Sequence, residues 1–242
     1  MSGSSSNWTT WLLGLVEADI YRAFTQKIHV ERDYMKKSDQ FWDRIAEKYA
    51  KNPVSDQETY QAKLNQTQAI LSSSMRILEF GCGTGSTAIQ HAPYVKHIDA
   101  IDISQNMIEI GRKRAVESHI ENITFTRGTL MEFNAPSDSL DAVLGLNVIH
   151  LLPDRSSVLE DVARILKPGG FFISSSACLG GSYFRFLKLF APFGKLLGLM
   201  PDVFVFTESK LVDEIKNLGF SIETQWSHGT KGISVFIIAR KL

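Results

Sequence analysis

The sequence predicts an α/β fold built on a seven-stranded sheet, mostly parallel with an antiparallel last strand, and with helices on both faces. Three observations predict it. From Met75 onward, strand-like runs alternate with helix-like ones, the pattern of a parallel sheet covered on both sides. The first run ends in "FGCGTG", Phe80–Gly85, which concentrates glycine at a strand-to-helix junction. The last two runs, "SIETQWSH" and "GISVFIIAR", are joined by too few residues for a crossover helix, so they pair antiparallel.

Residues 1–70 precede the alternation and read as a helical N-terminal extension, and residues 71–242 as the α/β domain. In "FWDRIAEKYAK", Phe41, Ile45 and Tyr49 recur every four residues with charges between them, an amphipathic stripe. "NPVSD" breaks it, and Asp56 can cap a further helix running to about Leu71. "MRILEF" is the first strand and "TAIQHA" a short helix; "HIDAID" is the second strand, followed by a helix opened by Ser104. "NITFTRG" and the buried run "LDAVLGLNVI" supply the third and fourth strands, and Asp154 caps the helix "RSSVLEDVARILK". "PGGFFISSSA" is a turn and the fifth strand. Thr207 caps, and Gly219 stops, the helix before the final strand pair.

Between the fifth strand and that helix lies an apolar insert, residues 179–206, carrying Tyr183, Phe184, Phe186, Phe190, Phe193, Phe204 and Phe206. Lys188, Lys195, Pro192 and Pro201 interrupt it, which excludes a spanning helix of about 20 apolar residues. The N-terminal "WTTWLLGLV" lacks a basic flank and soon meets Glu17 and Asp19, so no signal peptide is expected. With 26 basic and 26 acidic residues the net charge is zero, and no global basic field points to nucleic acid or an anionic membrane. Two cysteines, Cys82 and Cys178, are too few for a disulfide framework and suit a reducing, cytoplasmic setting.

The glycine turn is where chemistry is expected. Gly81, Gly83 and Gly85 give G-x-G-x-G, not the dinucleotide fingerprint G-x-G-x-x-G, so the third glycine is displaced and Ser86 follows it. Glu79, just ahead of the turn, would sit badly beside a pyrophosphate and well beside a positively charged cofactor. Asp102 ends the second strand about 20 residues further on, where a carboxylate can accept both hydroxyls of a ribose, with Ile103 against the base.

Taken together, "ILEFGCGTG", "IDAIDISQNMIEIGRKRA", "LDAVLGLNVIHLLPD" and "ILKPGGFFI" resemble the class I S-adenosylmethionine-dependent methyltransferases, in the small-molecule branch of ubiquinone/menaquinone-type enzymes. The resemblance runs from about Phe41 to Ile173 and implies a Rossmann-like sheet with an antiparallel final strand. It implies S-adenosylmethionine as cofactor: Gly81, Cys82 and Gly83 along the methionyl part, Gly85 supporting the turn, and Glu79 orienting the amino group. Asp102 would hold the ribose, Ile103 would flank adenine with Met107 nearby, and Asn147 would close the site at the end of the fourth strand. Tyr49 matches the tyrosine that approaches the cofactor in such enzymes, although a core aromatic on the helix stripe is an equal reading. One departure stands out. The family usually follows its third strand with Gly-Asp, whereas this chain has Gly128–Thr129–Leu130, leaving the Thr129 hydroxyl and the Leu130 backbone to meet adenine.

The expected activity is methyl transfer to a small, apolar or aromatic molecule. His150 is the candidate base, near the strand end where acceptors bind in open α/β sheets, although a histidine packed at a strand end is the plainer reading. The aromatic insert would overhang that site as a lid. No Cys/His cluster has metal-ligand spacing. A nucleic-acid acceptor is not expected, since "LNVI" replaces the base-amine methylating tetrad. Two alternatives remain: a non-catalytic binding or regulatory protein on the same fold, and a nicotinamide-dependent oxidoreductase. The glycine spacing, Glu79 and the absence of a Tyr-x-x-x-Lys pair disfavour the second.

Overall fold

Strands form where the apolar runs lie. The computed structural model describes residues 37–52, 54, 56–181, 202–229 and 232–242. The first 36 residues and most of the aromatic insert, including Tyr183, Phe184, Phe186, Phe190 and Phe193, therefore lie outside the described residues. In chain order the elements are α1 (37–51), α2 (Gln57–Gln68), β1 (Arg76–Phe80), α3 (Ser86–His91), β2 (His97–Asp102), α4 (Gln105–Glu117) and β3 (Ile123–Arg127). There follow α5 (Leu130–Phe133), β4 (Leu140–Leu146), α6 (Arg155–Ile165), β5 (Leu166–Ala177), α7 (Glu208–Asn217), β6 (Phe220–His228) and β7 (Ser234–Lys241).

The strands form one seven-stranded sheet in the order β3-β2-β1-β4-β5-β7-β6. β7 runs antiparallel to both neighbours, and every other pairing is parallel. Central strands are apolar on both sides because helices cover both faces. Along β1, Leu78 and Phe80 enter one core with Val143 and Phe172, and Ile77 enters the other with Ala142, Leu144 and Ile173. Among the described residues no helix is long and apolar enough to cross a membrane.

The expected caps appear as hydrogen bonds: Asp56 accepts from Thr59 N, Ser104 from Met107 N, Asp154 from Ser157 N and Thr207 from Lys210 N. Two boundaries move. The fourth strand stops at Leu146, not Ile149, because Asn147 turns to φ +58° and Ile149–Leu151 coil into a 3-10 turn. The fifth starts at Leu166, ahead of the Pro-Gly-Gly turn, where its register against β4 shifts. Phe206 packs into the core at 4% exposure, with the Arg155 guanidinium 4.4 Å from its ring centre.

Candidate active site

β1 delivers Glu79 and Phe80 to the sheet's carboxyl edge, and the chain then turns on three glycines with φ of +64°, +53° and +72° at Gly81, Gly83 and Gly85. The turn is tied to β2 by Cys82 N donating to Ile101 O at 3.0 Å, and closed by Gly85 N donating to Cys82 O at 3.0 Å. The glycines have different reasons to be glycine. A Cβ at Gly81 would stand 2.6 Å from Val148 Cγ2, and one at Gly85 2.6 Å from Phe125 Cε1, so close packing requires both. At Gly83 the nearest atom would be Tyr49 Cε1 at 4.0 Å. That position is open, and its backbone is free to be approached.

Two carboxylates lie under this turn. Asp102 holds it: Oδ2 accepts from Gly83 N and Oδ1 from Ser104 N, both at 2.9 Å. Burial raises the Asp102 pKa against the pull of those bonds. Glu79 is 3% exposed and its Oε2 has no hydrogen-bond partner among the described residues. Burial, and secondarily the neighbouring Asp102, push its carboxyl up to about 8. A buried acid without a partner costs free energy unless a donor or cation arrives. The amino group of S-adenosylmethionine is such a donor; a pyrophosphate would add negative charge. The residues present therefore fit that cofactor. Burial also keeps the Cys82 thiol protonated, well above its ordinary range.

α1 is fastened over the turn by polar contacts. Asp43 Oδ1 accepts from Ser104 Oγ at 2.5 Å and Asn106 N at 3.0 Å, and Asp39 pairs with Arg127 at 2.9 Å. Arg114 joins three elements, donating to Thr84 Oγ1 at 2.7 Å, Ser86 Oγ at 2.9 Å and Ala50 O at 2.6 Å. Tyr49 thereby faces Gly83; half of it is exposed, and partial burial and the Asp102 charge raise its pKa. Asp43 and Arg114 escaped the sequence reading because charges on an amphipathic helix read as a solvated face.

The turn brings Glu79, Gly81, Cys82, Gly83, Gly85, Asp102 and Tyr49 together. Ile103 follows, half-buried, its carbonyl accepting from Arg127 Nε at 3.0 Å. Met107 is 2% exposed, so its side chain is packed within the protein. The Thr129 hydroxyl is occupied: it accepts from Glu132 N at 3.1 Å and donates to Glu132 Oε2 at 2.9 Å, a capping box that starts α5. Leu130 is buried. Asn147 is exposed in the left-handed region, its N–H donating to Ser175 O at 2.7 Å. His150 is half-buried; its Nδ1 accepts from Ala177 N at 3.4 Å, and burial lowers its pKa to about 4. Lys63 on α2 and His228 on β6, which the sequence reading passed over, both meet Ser175 on β5 beside Asn147.

Residues 77–170 match a family described as "Methyltransferase domain". The chain is 34% identical over 98 residues to the uncharacterized methyltransferase YcgJ of Bacillus subtilis, 40% of this chain and 39% of that protein. It is 28% identical over 177 residues to the demethylmenaquinone methyltransferase of Listeria welshimeri, 63% of this chain and 72% of the relative. The match to YcgJ thus spans about two fifths of that relative's length. Among solved structures, geranyl diphosphate C-methyltransferase from Streptomyces coelicolor, determined with S-adenosyl-L-homocysteine, superposes with a TM-score of 0.67 at 12% identity, over 86% of this chain and 98% of the other. That likeness is one of fold. The matched domain falls on the glycine turn and on strands β1 to β4, and over this region the chain is similar to the class I S-adenosylmethionine-dependent methyltransferases.

Proposed function

We propose that this protein transfers the methyl group of S-adenosylmethionine to a small, apolar or aromatic molecule. The observation that carries this reading is the buried Glu79 carboxyl by the open glycine, its Oε2 without a partner among the described residues. Glu79 takes the amino group of the cofactor, Asp102 the ribose hydroxyls, and the backbone of Gly81, Cys82 and Gly83 the methionyl chain. Ile103 flanks the adenine. Because Thr129 is engaged with Glu132, the backbone at Leu130 is the better reader of the adenine edge.

When bound, the cofactor supplies a sulfonium methyl: the acceptor's nucleophile bonds to the methyl carbon as the carbon–sulfur bond breaks, its electron pair going to sulfur. The protein's part is alignment and exclusion of water, which can supply several kcal/mol of the barrier reduction. Tyr49, held by the Asp43 and Arg114 contacts, covers the turn. Asn147 limits the acceptor's approach, and His150, whose Nδ1 accepts from Ala177 N and whose pKa burial lowers to about 4, offers Nε2–H as a hydrogen-bond donor instead of acting as a base. The zero net charge and the similarity to a quinone-type methyltransferase support a small acceptor over a nucleic acid.

Calorimetric titration of S-adenosylhomocysteine and of NADH into wild type and Asp102→Ala tests the reading. Micromolar S-adenosylhomocysteine binding that the substitution abolishes supports it. Binding of NADH instead, or of neither, refutes it.

A further inference from the structure

α2 is polar on a face that is not fully exposed. Asp56, Tyr60, Lys63 and Thr67 recur at three- and four-residue spacing, and exposure falls along them from the open Asp56 to Thr67 at 1%. The helix is pinned across the sheet's carboxyl edge by Trp226 Nε1 donating to Gln66 Oε1 at 3.0 Å. Lys63, half-buried, donates its ammonium to Ser175 Oγ at 2.9 Å. That hydroxyl also lies 3.4 Å from Asn147 Oδ1 and 3.3 Å from His228 Nε2. A serine hydroxyl has one proton to give. Receiving Lys63, it donates to either Asn147 or His228, not both.

The cluster lies beside the residue that closes the methyl-donor site, at the strand ends where open α/β sheets take ligands. Its charge has no ion pair: among the described residues no carboxylate lies within ion-pair distance of Lys63, Asp56 acts on it only from further off, and its polar partner is a neutral hydroxyl. We propose, on the methyltransferase reading above, that Lys63, held by Ser175 beside Asn147 and His228, binds the anionic oxygen of the methyl acceptor, which is a phenol or enol taken up as its anion. A single ammonium offers a point donor that suits a one-oxygen anion, whereas a carboxylate is better matched by the two-pronged arginine. The flanking surface is aromatic, with the Trp226 and His228 rings 5.4 Å apart. Delocalised negative charge also makes the adjacent carbon nucleophilic, so one anion site serves oxygen or carbon methylation.

The charged and titratable groups acting on Lys63 are consistent with this. Burial lowers its pKa to about 8, with Asp56 opposing, and burial and then the Lys63 charge hold His228 near 4, so His228 is neutral there at physiological pH.

The test uses 4-nitrophenol, whose anion is coloured, with 4-nitroanisole and 4-nitrobenzoate as comparison probes, on the full chain with and without S-adenosylhomocysteine. Wild type is expected to bind 4-nitrophenolate about tenfold more tightly than the anisole and to shift the phenol's ionisation midpoint down by about one pH unit. Lys63→Met should lose both effects and Lys63→Arg should keep the preference for the anion. A Met variant that behaves as wild type, a benzoate that outcompetes the phenolate, or a wild type that binds no phenol overturns the proposal. The S-adenosylhomocysteine titration of wild type judges the methyltransferase reading separately, so the two can fail independently.

Discussion

Replacing Glu79 by glutamine should make the ligand-free protein more stable, and the gain should depend on pH. Burial lifts the Glu79 carboxyl from 4.5 to about 8, so the folded state keeps a proton that the unfolded chain releases. Stability associated with this group is fully present below pH 4.5 and is lost as pH rises toward 8. At about 1.36 kcal/mol per pH unit the loss reaches about 3 kcal/mol at pH 7. Glutamine does not titrate, so Glu79→Gln removes that slope. At about 2–4 °C per kcal/mol for a chain of this size, its melting temperature should exceed wild type by about 6–12 °C at pH 7 and match it near pH 4. Calorimetric melts across pH 4–8 read the difference. Binding should show the converse: at pH 7 wild type releases close to one proton on taking up S-adenosylhomocysteine, measured by titration in buffers of different ionisation enthalpy, and Glu79→Gln releases none and binds about 10–100-fold more weakly. A melting difference that does not change with pH, or a wild type more stable than the variant at pH 8, would refute the reasoning, because Glu79 would then be ionised and already paired.

Gly83→Ala should cost only the left-handed strain of about 1 kcal/mol, yet lower S-adenosylhomocysteine affinity more than tenfold by placing a methyl in the open cradle. Gly85→Ala adds a clash with Phe125 at 2.6 Å and should lose a further 1–3 kcal/mol, roughly, in denaturant melts. Asp43→Ala releases the bonds to Ser104 and Asn106, so amide exchange across residues 39–51 should quicken and S-adenosylhomocysteine affinity fall with it. His91 is 1% exposed, with neither ring nitrogen partnered among the described residues and its pKa lowered to about 4 by burial. Between pH 6.5 and 4 the unfolded chain binds the proton that folded His91 refuses, so His91→Leu should gain on wild type by about 2 kcal/mol in going from pH 7 to pH 5.

The sheet was legible because its signals are local. Period and capping place Ser104, Asp154 and Thr207, and a short link between the last two runs forces β7 to run against the rest. The proposed cofactor side draws on the same kind of local signal: Glu79, the glycines and Asp102 come from two consecutive strand ends. What escaped is the set of contacts made by residues far apart in sequence. Arg114 reaches back 64 residues to Ala50, and Lys63 crosses 112 residues to Ser175. No window of periodicity contains such pairs, and each member alone resembles a solvated charge.

That difference suggests how the two halves of the site are specified. The cofactor half rests on backbone shape: positive φ at three glycines, close packing at two of them, and amides held by Asp102. At Gly81 and Gly85 packing excludes a side chain and at all three the left-handed backbone favours glycine, so the sequence must show it. The acceptor half rests on side chains carried by α2, β5 and β6, whose identities the sheet does not dictate. Ser175 could be any small residue and still pair with Phe236 in the ladder. Lys63 could be apolar and pack better. A cation kept half-buried against a neutral hydroxyl costs desolvation that no ion pair among the described residues offsets, so the proposed anionic partner arriving with the substrate would give it a reason to be there.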